Sequence, residues 1–282
     1  MQTTQQITPC EDAALAPAGG WRVHAIKFFR RNGRWVVLFS LLLGVVLWDA
    51  AARLWNLPAF ILPRPLQVVE RLGRALQDGS LVRNSAYTLL EVLIGLFAGS
   101  LTATVLGYFL ARFHFLDRLL SPYLVASQAI PIVAIAPLLV IWFGSGIFSK
   151  ILICSLIVFF PVLVNTVVGL RAVPENLRDL MRSLRATSWQ ALRYLELPAA
   201  LPVLLGGLRI GATLSVIGAV VGEFVGSNIG LGFLVNVARG QYDTALVFVA
   251  VFTLIAMALS LYGLVVLLEK RLLAWQKCNG GF

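Results

Sequence analysis

Long apolar runs separated by short polar stretches are the feature that most constrains how this chain folds. A helix that crosses the hydrocarbon core of a bilayer needs about 20 predominantly apolar residues. The chain is 59% hydrophobic and 13% charged, so such runs occupy most of its 282 residues. We therefore predict an all-α polytopic membrane protein and exclude a soluble domain. The six predicted transmembrane spans cover residues 35–52, 87–111, 119–143, 148–170, 203–225 and 245–268.

The basic residues of the chain flank these apolar runs. A formal net charge of +10 would suggest nucleic-acid binding in a soluble protein. With six spans both termini lie on one side, which carries 16 of the 23 lysines and arginines. Lysine and arginine concentrate in the cytoplasmic loops of membrane proteins. We therefore predict a multi-pass protein of the cytoplasmic (inner) membrane of a prokaryote, with both termini cytoplasmic and no nucleic-acid partner.

The longest polar interruption, residues 171–202, lies between the fourth and fifth spans. Its first part predicts a helix of about 11 residues, too short at ~16 Å to cross a bilayer. Helical spacing gives this helix one apolar stripe, formed by Leu177, Leu180, Met181 and Leu184. Thr187-Ser188-Trp189-Gln190 fits a capping box, so a second short helix is predicted to begin there and to end at Leu197-Pro198. This arrangement is typical of a surface on which a soluble partner docks.

The same stretch resembles the EAA loop of ABC-importer permeases, which inserts into a cleft of the ATPase subunit. Asp179-Leu180-Met181 stands at the EAA position, Arg185 at the family's glycine and Leu197-Pro198 at its LP. Arg185 departs from the pattern because glycine adopts a positive φ freely and arginine does not, which suggests a turn of a different shape here. The resemblance implies that the ATPase is coupled through Leu177, Asp179, Leu180, Met181, Leu184, Arg185, Trp189, Leu197 and Pro198.

Other segments resemble the nitrate/sulfonate/taurine branch of these permeases and its vitamin-precursor relatives. They are Leu62-Pro63-Arg64-Pro65, the run 122–170, and Gly230-Leu231-Gly232 after a span that ends near a glutamate. The resemblance implies the type I ABC importer permease fold, a permease homodimer in membrane lipid, cytoplasmic ABC ATPase subunits and an extracytoplasmic solute-binding protein. The predicted organisation is a tail at 1–34, a permease domain at 35–271 with the coupling loop at 171–202, and a tail at 272–282.

Three segments outside the spans have predicted conformations. Residues 62–76 predict an amphipathic helix outside the membrane, and Gly144-Ser145-Gly146 predicts a turn. Residues 227–244 are polar and contain several glycines, which predicts a loop on the side opposite the termini.

Prolines and polar residues inside the apolar runs are candidates for the translocation path. A proline frees backbone carbonyls that lipid cannot satisfy, so such a helix is expected to face protein or water. On this basis we assign Pro131, Pro137, Asn165 and Glu223 to the path. Glu223 also belongs to a set of three carboxylates in or near the spans, with Asp49 and Glu91. Each of the three is either a functional site or a group that is solvated or paired close to an interface.

Sequence motifs for catalysis are absent. The chain has no Gly-rich Walker loop for ATP, and His24 and His114 are isolated. Cys10, Cys154 and Cys278 have no metal-ligand spacing. We therefore expect no cofactor, no metal and no enzyme activity in this chain.

Three function classes remain open at this point. The leading hypothesis is the permease subunit of an ATP-driven importer, and the alternatives are a proton-coupled transporter that uses Glu91 or Glu223, and a membrane scaffold. No lysine or arginine lies deep in a predicted span, and a fixed anion site would need such a cation. A neutral solute is therefore favoured, with a vitamin or vitamin precursor of the riboflavin or thiamine-pyrimidine type as the best candidate. Sulfonates, taurine, nitrate and bicarbonate are the alternative solutes.

Overall fold

The computed structural model describes residues 33–55, 58–129 and 131–273. The predictions for residues 1–32 and 274–282, which include most of both tails, lie outside these residues. The regular structure of the described residues is helical, as the sequence predicts. The helices are α1 (Gly33–Leu54), α2 (Pro65–Gln77), α3 (Ser80–Arg112), α4 (His114–Gln128), α5 (Ile132–Phe143), α6 (Ile147–Arg171), α7 (Glu175–Ser183), α8 (Ser188–Ala191), α9 (Leu197–Gly226), α10 (Leu231–Gly240) and α11 (Thr244–Leu272).

The chain divides into two compact units, residues 1–56 and 57–282. The first contributes α1, whose 22 residues extend ~33 Å, enough for one crossing. Asp49 of α1 pairs with Arg53 one turn later at 2.7 Å, so this carboxylate has its partner on its own helix. That arrangement fits the interpretation of Asp49 as a paired group.

In the second unit, four continuous helices are long and apolar enough to cross a membrane. They are 80–112, 147–171, 188–226 and 244–272. Three of them form a closely packed layer, in which α6 lies against both α3 and α9. Small residues make this close packing possible, because two helix backbones can come into contact where no large side chain separates them. A Cβ added at Gly99 would lie 2.6 Å from the carbonyl oxygen of Ser155, and one at Gly207 would lie 2.6 Å from the Cβ of Asn165.

The predicted third span, 119–143, is not one helix in the structure. It falls within α4 and α5, which have 15 and 12 residues. Pro131 is the N-cap of α5 in an extended conformation and has no N–H with which to continue a helix from α4. The predicted turn at 144–146 is confirmed, with Gly144 at a φ of 82°.

The predicted loop at 227–244 is wrong over most of its length, because it contains the ten-residue helix α10. The prediction failed since it weighed the polar residues and glycines and overlooked one apolar stripe at helical spacing. That stripe is buried and consists of Leu231, Leu234, Val235 and Ala238. By contrast, the helix predicted at 62–76 is confirmed as α2, which packs on α11 and whose Arg71 pairs with Asp243 at 2.7 Å.

Candidate functional site

The coupling loop leaves its predicted apolar stripe uncovered. Helix α7 has no buried residue, and Leu177, Leu180 and Leu184 are 39%, 54% and 69% exposed. Met181 is the member of the stripe that is half-buried against the chain itself. The sequence predicts that this stripe is buried either in an ATPase cleft or against the permease's own spans, and in the structure the chain itself partly covers only Met181. The remaining leucines form an apolar surface that water meets unless another molecule packs on it.

The turn after α7 is a Schellman motif with arginine at the left-handed position. The N–H of Ala186 donates to the carbonyl of Met181 at 3.0 Å, and that of Arg185 donates to Arg182 at 2.9 Å. These two bonds form together only when the residue just after the helix cap has a positive φ. That residue is Arg185, and its φ is 52°. The chain therefore makes the turn that glycine makes freely, with a residue that is strained in this conformation.

The second short helix begins as predicted. Thr187 accepts a hydrogen bond from the N–H of Gln190 at 3.3 Å, and the Gln190 side chain accepts from the N–H of Thr187 at 2.8 Å. This reciprocal pair confirms the capping box. Trp189 follows the exposed leucines in the sequence and lies in the first turn of α8, where it is 67% exposed. It therefore presents a large aromatic surface from the same loop.

The predicted end of this helix at Leu197-Pro198 is wrong. A π segment, Leu192–Glu196, follows α8 and leads directly into α9, so 188–226 is continuous. A proline ring inside an α-helix clashes with the carbonyl four residues earlier, whereas a first-turn proline is tolerated. Pro198 lies in the first turn of α9, directly after the wider π turn, where this clash is avoided.

Asp179, at the glutamate position of the family pattern, lies on the exposed side of α7. Its carboxylate pairs with Arg182 at 3.0 Å, and both side chains are largely exposed. An exposed pair of this kind contributes less than about 1 kcal/mol, so it does not hold the helix in place. The acidic group is thus available to a partner surface at little cost.

A buried polar cluster lies at the opposite end of α3, α6 and α9 from the coupling loop. Glu91 and Glu223 are each 1% exposed, and Lys150 is 3% exposed. The Lys150 ammonium lies 3.8 Å from Glu91 and donates to Ser227 at 2.8 Å. The sequence places no lysine or arginine deep in a span, and Lys150 lies near one end of α6, where it is nonetheless buried by protein. Lys150 lies in the first turn of α6, and its burial was not predicted from the sequence.

The carboxylate of Glu223 holds the start of α10. It accepts from the N–H of Gly232 and from the hydroxyl of Thr88, the latter at 2.6 Å. Thr88 also accepts from the N–H of Leu231 at 2.8 Å, and Asn84 accepts from Gly230 at 2.7 Å. A carboxylate at a helix N-terminus is favoured by the free N–H groups and by the helix dipole. We call Asn84, Thr88, Glu91, Lys150 and Glu223 the carboxylate cluster.

The four residues predicted to line the path have different surroundings in the structure. Pro131 and Pro137 lie exposed on α5, whereas Glu223 is enclosed in the carboxylate cluster. Asn165 is half-buried on α6, where its amide donates to the carbonyl of Pro161 at 2.8 Å. Within the described residues no group of three metal-ligating side chains occurs. The assignment of these residues to the translocation path stays a prediction.

Comparison with known proteins places these features in a family. Residues 92–274 match the profile of the binding-protein-dependent transport system inner membrane component family. The chain is 48% identical to the riboflavin transport system permease protein of Chloroflexus aurantiacus, over 84% of this chain and 88% of that protein. It is 38% identical to the formylaminopyrimidine transport permease protein of Halalkalibacterium halodurans, over 85% and 95%. It is 34% identical to the taurine transport system permease protein of Escherichia coli K12, over 82% and 86%.

A solved structure has the same fold. The inward-facing MetNI methionine ABC transporter matches with a TM-score of 0.61 over 70% of this chain and 97% of that chain, at 21% identity. The match and the helical architecture place the chain among permeases of this type in fold, and the sequence comparisons establish its ancestry. The chain belongs to the binding-protein-dependent transport system inner membrane component family, whose members are non-enzymatic, multi-pass permease subunits of ABC transporters with a separate ATPase subunit.

Proposed function

We propose that this chain imports a vitamin or vitamin precursor of the riboflavin or thiamine-pyrimidine type, delivered by a solute-binding protein and driven by a separate ATPase. The observation that carries the solute class is the 48% identity to a riboflavin permease, with 38% identity to a formylaminopyrimidine permease. Both similarities extend over more than four fifths of this chain. Relatives that carry sulfonates or taurine are less similar, at 30% and 34% identity.

The charges in the carboxylate cluster favour the same solute class. Lys150 is buried, but two carboxylates face it, and neither Glu91 nor Glu223 has another buried lysine or arginine near it in the described residues. The cluster therefore offers no surplus positive charge to an anionic solute. This supports a solute without a fixed negative charge over a sulfonate or nitrate.

The membrane arrangement in this proposal has six spans, two copies of the chain and cytoplasmic termini. Four long helices and α1 each suffice in length, and α4 with α5 is proposed as the sixth crossing. The uncovered coupling loop supports an ATPase on the side of the termini. Reporter fusions after residues 80, 145 and 235 are expected on the outside, and fusions after 115, 185 and 282 on the inside. An outside signal after residue 185 would contradict the arrangement.

In this mechanism the ATPase acts on the spans through the coupling loop. The π segment and α9 form one continuous helix with α8, so a displacement of α8 reaches the far end of α9. That end carries Glu223, which is hydrogen-bonded to α10. Closure of two ATPase subunits would draw two coupling loops together and open the pore to the outside, as the family resemblance implies.

The proposal is tested by uptake into proteoliposomes that hold the permease with its own ATPase. Riboflavin, a thiamine-type pyrimidine and taurine are each supplied with the cognate solute-binding protein. We expect ATP-dependent uptake of one of the first two and none with a non-hydrolysable ATP analogue. Uptake driven by a proton gradient without ATP would instead support the proton-coupled alternative. ATP-dependent uptake of taurine alone would retain the importer but reject the vitamin class.

A further inference from the structure

A cavity of about 430 Å³ lies beneath the coupling loop, between α7, α8 and the end of α3. Tyr108, Leu170 and Leu195 contribute apolar walls. Three arginines contribute its polar surface, namely Arg112, Arg178 and Arg182. Since Arg112 ends α3 and the other two belong to α7, the cavity lies between a membrane-crossing helix and the helix proposed to contact the ATPase.

Two of the three arginines have carboxylate partners. Arg112 lies 3.8 Å from Glu196, which is buried in the cavity wall, and Arg182 pairs with Asp179. Arg178 is different, because no carboxylate of the described residues lies within ion-pair distance of it. One terminal nitrogen of Arg178 donates to the carbonyl of Leu170 at 2.6 Å. Arg178 therefore contributes a guanidinium charge to the cavity that no ion pair of the described residues balances.

The Nε–H of Arg178 is buried and has no acceptor in the described part of the chain. A buried donor without a partner costs about 1–3 kcal/mol, and in native proteins such groups are nearly always satisfied by water or an ion. Nε and a terminal nitrogen form the planar donor edge with which arginine binds two oxygens of a phosphate. The Arg178 side chain thus combines an unbalanced positive charge with a buried donor that lacks an acceptor, and it lines the open volume.

We propose that this cavity binds an anion of the phosphate class, either free phosphate or the headgroup phosphate of an anionic lipid, with Arg178 as its principal ligand. Arg112 and Arg182 line the same volume and add positive potential. An anion there would link α7 to the end of α3, so it would stiffen the connection between the coupling loop and the spans. Binding itself does not depend on the solute proposed above, and its test requires no transport.

The test uses the purified full-length permease in uncharged detergent, titrated with sodium phosphate against sodium chloride at matched ionic strength. The readout is the midpoint of thermal unfolding. We expect phosphate to raise the midpoint of the wild type, and Arg178→Gln to raise the apparent Kd about tenfold, equivalent to ~1.4 kcal/mol. The matched control is Arg193→Gln, since Arg193 is exposed in the same loop but does not line the cavity. It is expected to respond like the wild type.

A second arm distinguishes the two sources of the anion. The same variants are placed in phosphatidylcholine nanodiscs with and without phosphatidylglycerol. Stabilisation by phosphatidylglycerol that requires Arg178, without a response to phosphate, would identify the lipid headgroup. Arg178→Lys keeps the charge but lacks the paired donor edge, and we expect an affinity between those of the wild type and Arg178→Gln. This variant also keeps the test valid if the glutamine variant does not fold.

Equal responses of the wild type and both Arg178 variants to phosphate and to phosphatidylglycerol would overturn the proposal. The titration is repeated with the ATPase bound, and we expect the phosphate or lipid response to persist. Its loss on ATPase binding would mean that the partner covers the cavity, and would overturn the proposal that the anion links α7 to α3 in the assembled transporter.

Discussion

The two ends of the α3–α6–α9 layer differ in whether the chain covers its own side chains. At one end, the carboxylate cluster buries its polar groups and ties the start of α10 to α3 and α9 through side chains of the same chain. At the other end, α7 has no buried residue and leaves three leucines of its stripe exposed. The first end meets its polar groups internally except at Glu91, whose carboxylate oxygens have no hydrogen-bond donor in the described residues. The second end leaves an apolar surface that no described residue covers.

This difference predicts where substitutions act. A change in the carboxylate cluster should first reduce the stability of the chain, because buried groups lose partners that nothing else can replace. A change on the outer face of α7 should leave stability unaltered and reduce association with the ATPase. The following substitutions test this division in order of decreasing effect.

Lys150→Met is expected to have the largest effect. Two carboxylates would remain buried without their cation, and breaking a buried ion pair by removing one partner costs roughly 3–5 kcal/mol. The measurement is thermal unfolding of the purified chain together with its yield from membranes. The control is the double variant Lys150→Met/Glu91→Gln, which removes the charge of both partners. It should recover more than half of the lost stability, and equal loss in both variants would show that Lys150 acts through packing alone.

Gly230→Ala is expected to come next. Gly230 has a φ of 120°, a conformation that alanine rarely adopts, and its added Cβ would overlap the carboxylate of Glu223. Strain and overpacking together should reduce stability by roughly 2–4 kcal/mol. Gly240→Ala, at the end of the same helix, has open space around the added Cβ and is the matched control. A similar loss in both variants would contradict a specific contact between Gly230 and Glu223.

Leu180→Asp tests the end of the layer at which the leucines of α7 are exposed. Leu180 is 54% exposed, so the chain alone should fold normally. A charge in the centre of the apolar surface should weaken association with the ATPase at least tenfold, since losing a packed anchor costs ~2 kcal/mol. Co-purification of the ATPase and solute-stimulated ATP hydrolysis measure this, with Arg193→Asp as a charge change elsewhere in the loop. Full retention of both with aspartate at 180 would reject the docking surface.

Local signals were sufficient to predict several elements. The capping box at Thr187 needs only residues three apart, and α2 shows its amphipathic pattern within 13 residues. Such features depend on neighbours in sequence, so they are visible without knowledge of the fold. Arginine at the family's glycine position suggested a turn of a different shape, whereas the φ of 52° shows that Arg185 makes the glycine-type turn.

Features that depend on distant contacts were missed. The burial of Lys150 was not predicted, because nothing nearby in sequence reveals that α3 and α9 pack around it. Small residues at four-residue intervals in α3, namely Gly95, Gly99, Ala103 and Gly107, were a signal of close packing that went unused. Recognising that stripe would have brought α6 onto α3 and, with it, Lys150 towards Glu91.

The smallest predicted effect concerns a type of turn that occurs both after α7 and after α10. Tyr242 follows α10 with a φ of 56°, and its N–H and that of Asp243 donate to Arg239 and Ala238. This is the Schellman motif of Arg185 again, with a large exposed side chain at the left-handed position.

Replacing either residue with glycine removes the strain of a side chain at positive φ. Arg185→Gly and Tyr242→Gly should therefore each stabilise their turn by about 1 kcal/mol, partly offset by the greater freedom of glycine in the unfolded chain. The two variants differ in what they reveal about partners. If Arg185 only shapes the loop, Arg185→Gly should retain or improve ATPase co-purification, as Tyr242→Gly should leave it unchanged. We expect this outcome, because the exposed leucines and Trp189 supply the apolar contact surface without Arg185. A stabilised chain that binds its ATPase less well would show instead that the arginine is kept, despite its strain, for a direct contact with the partner.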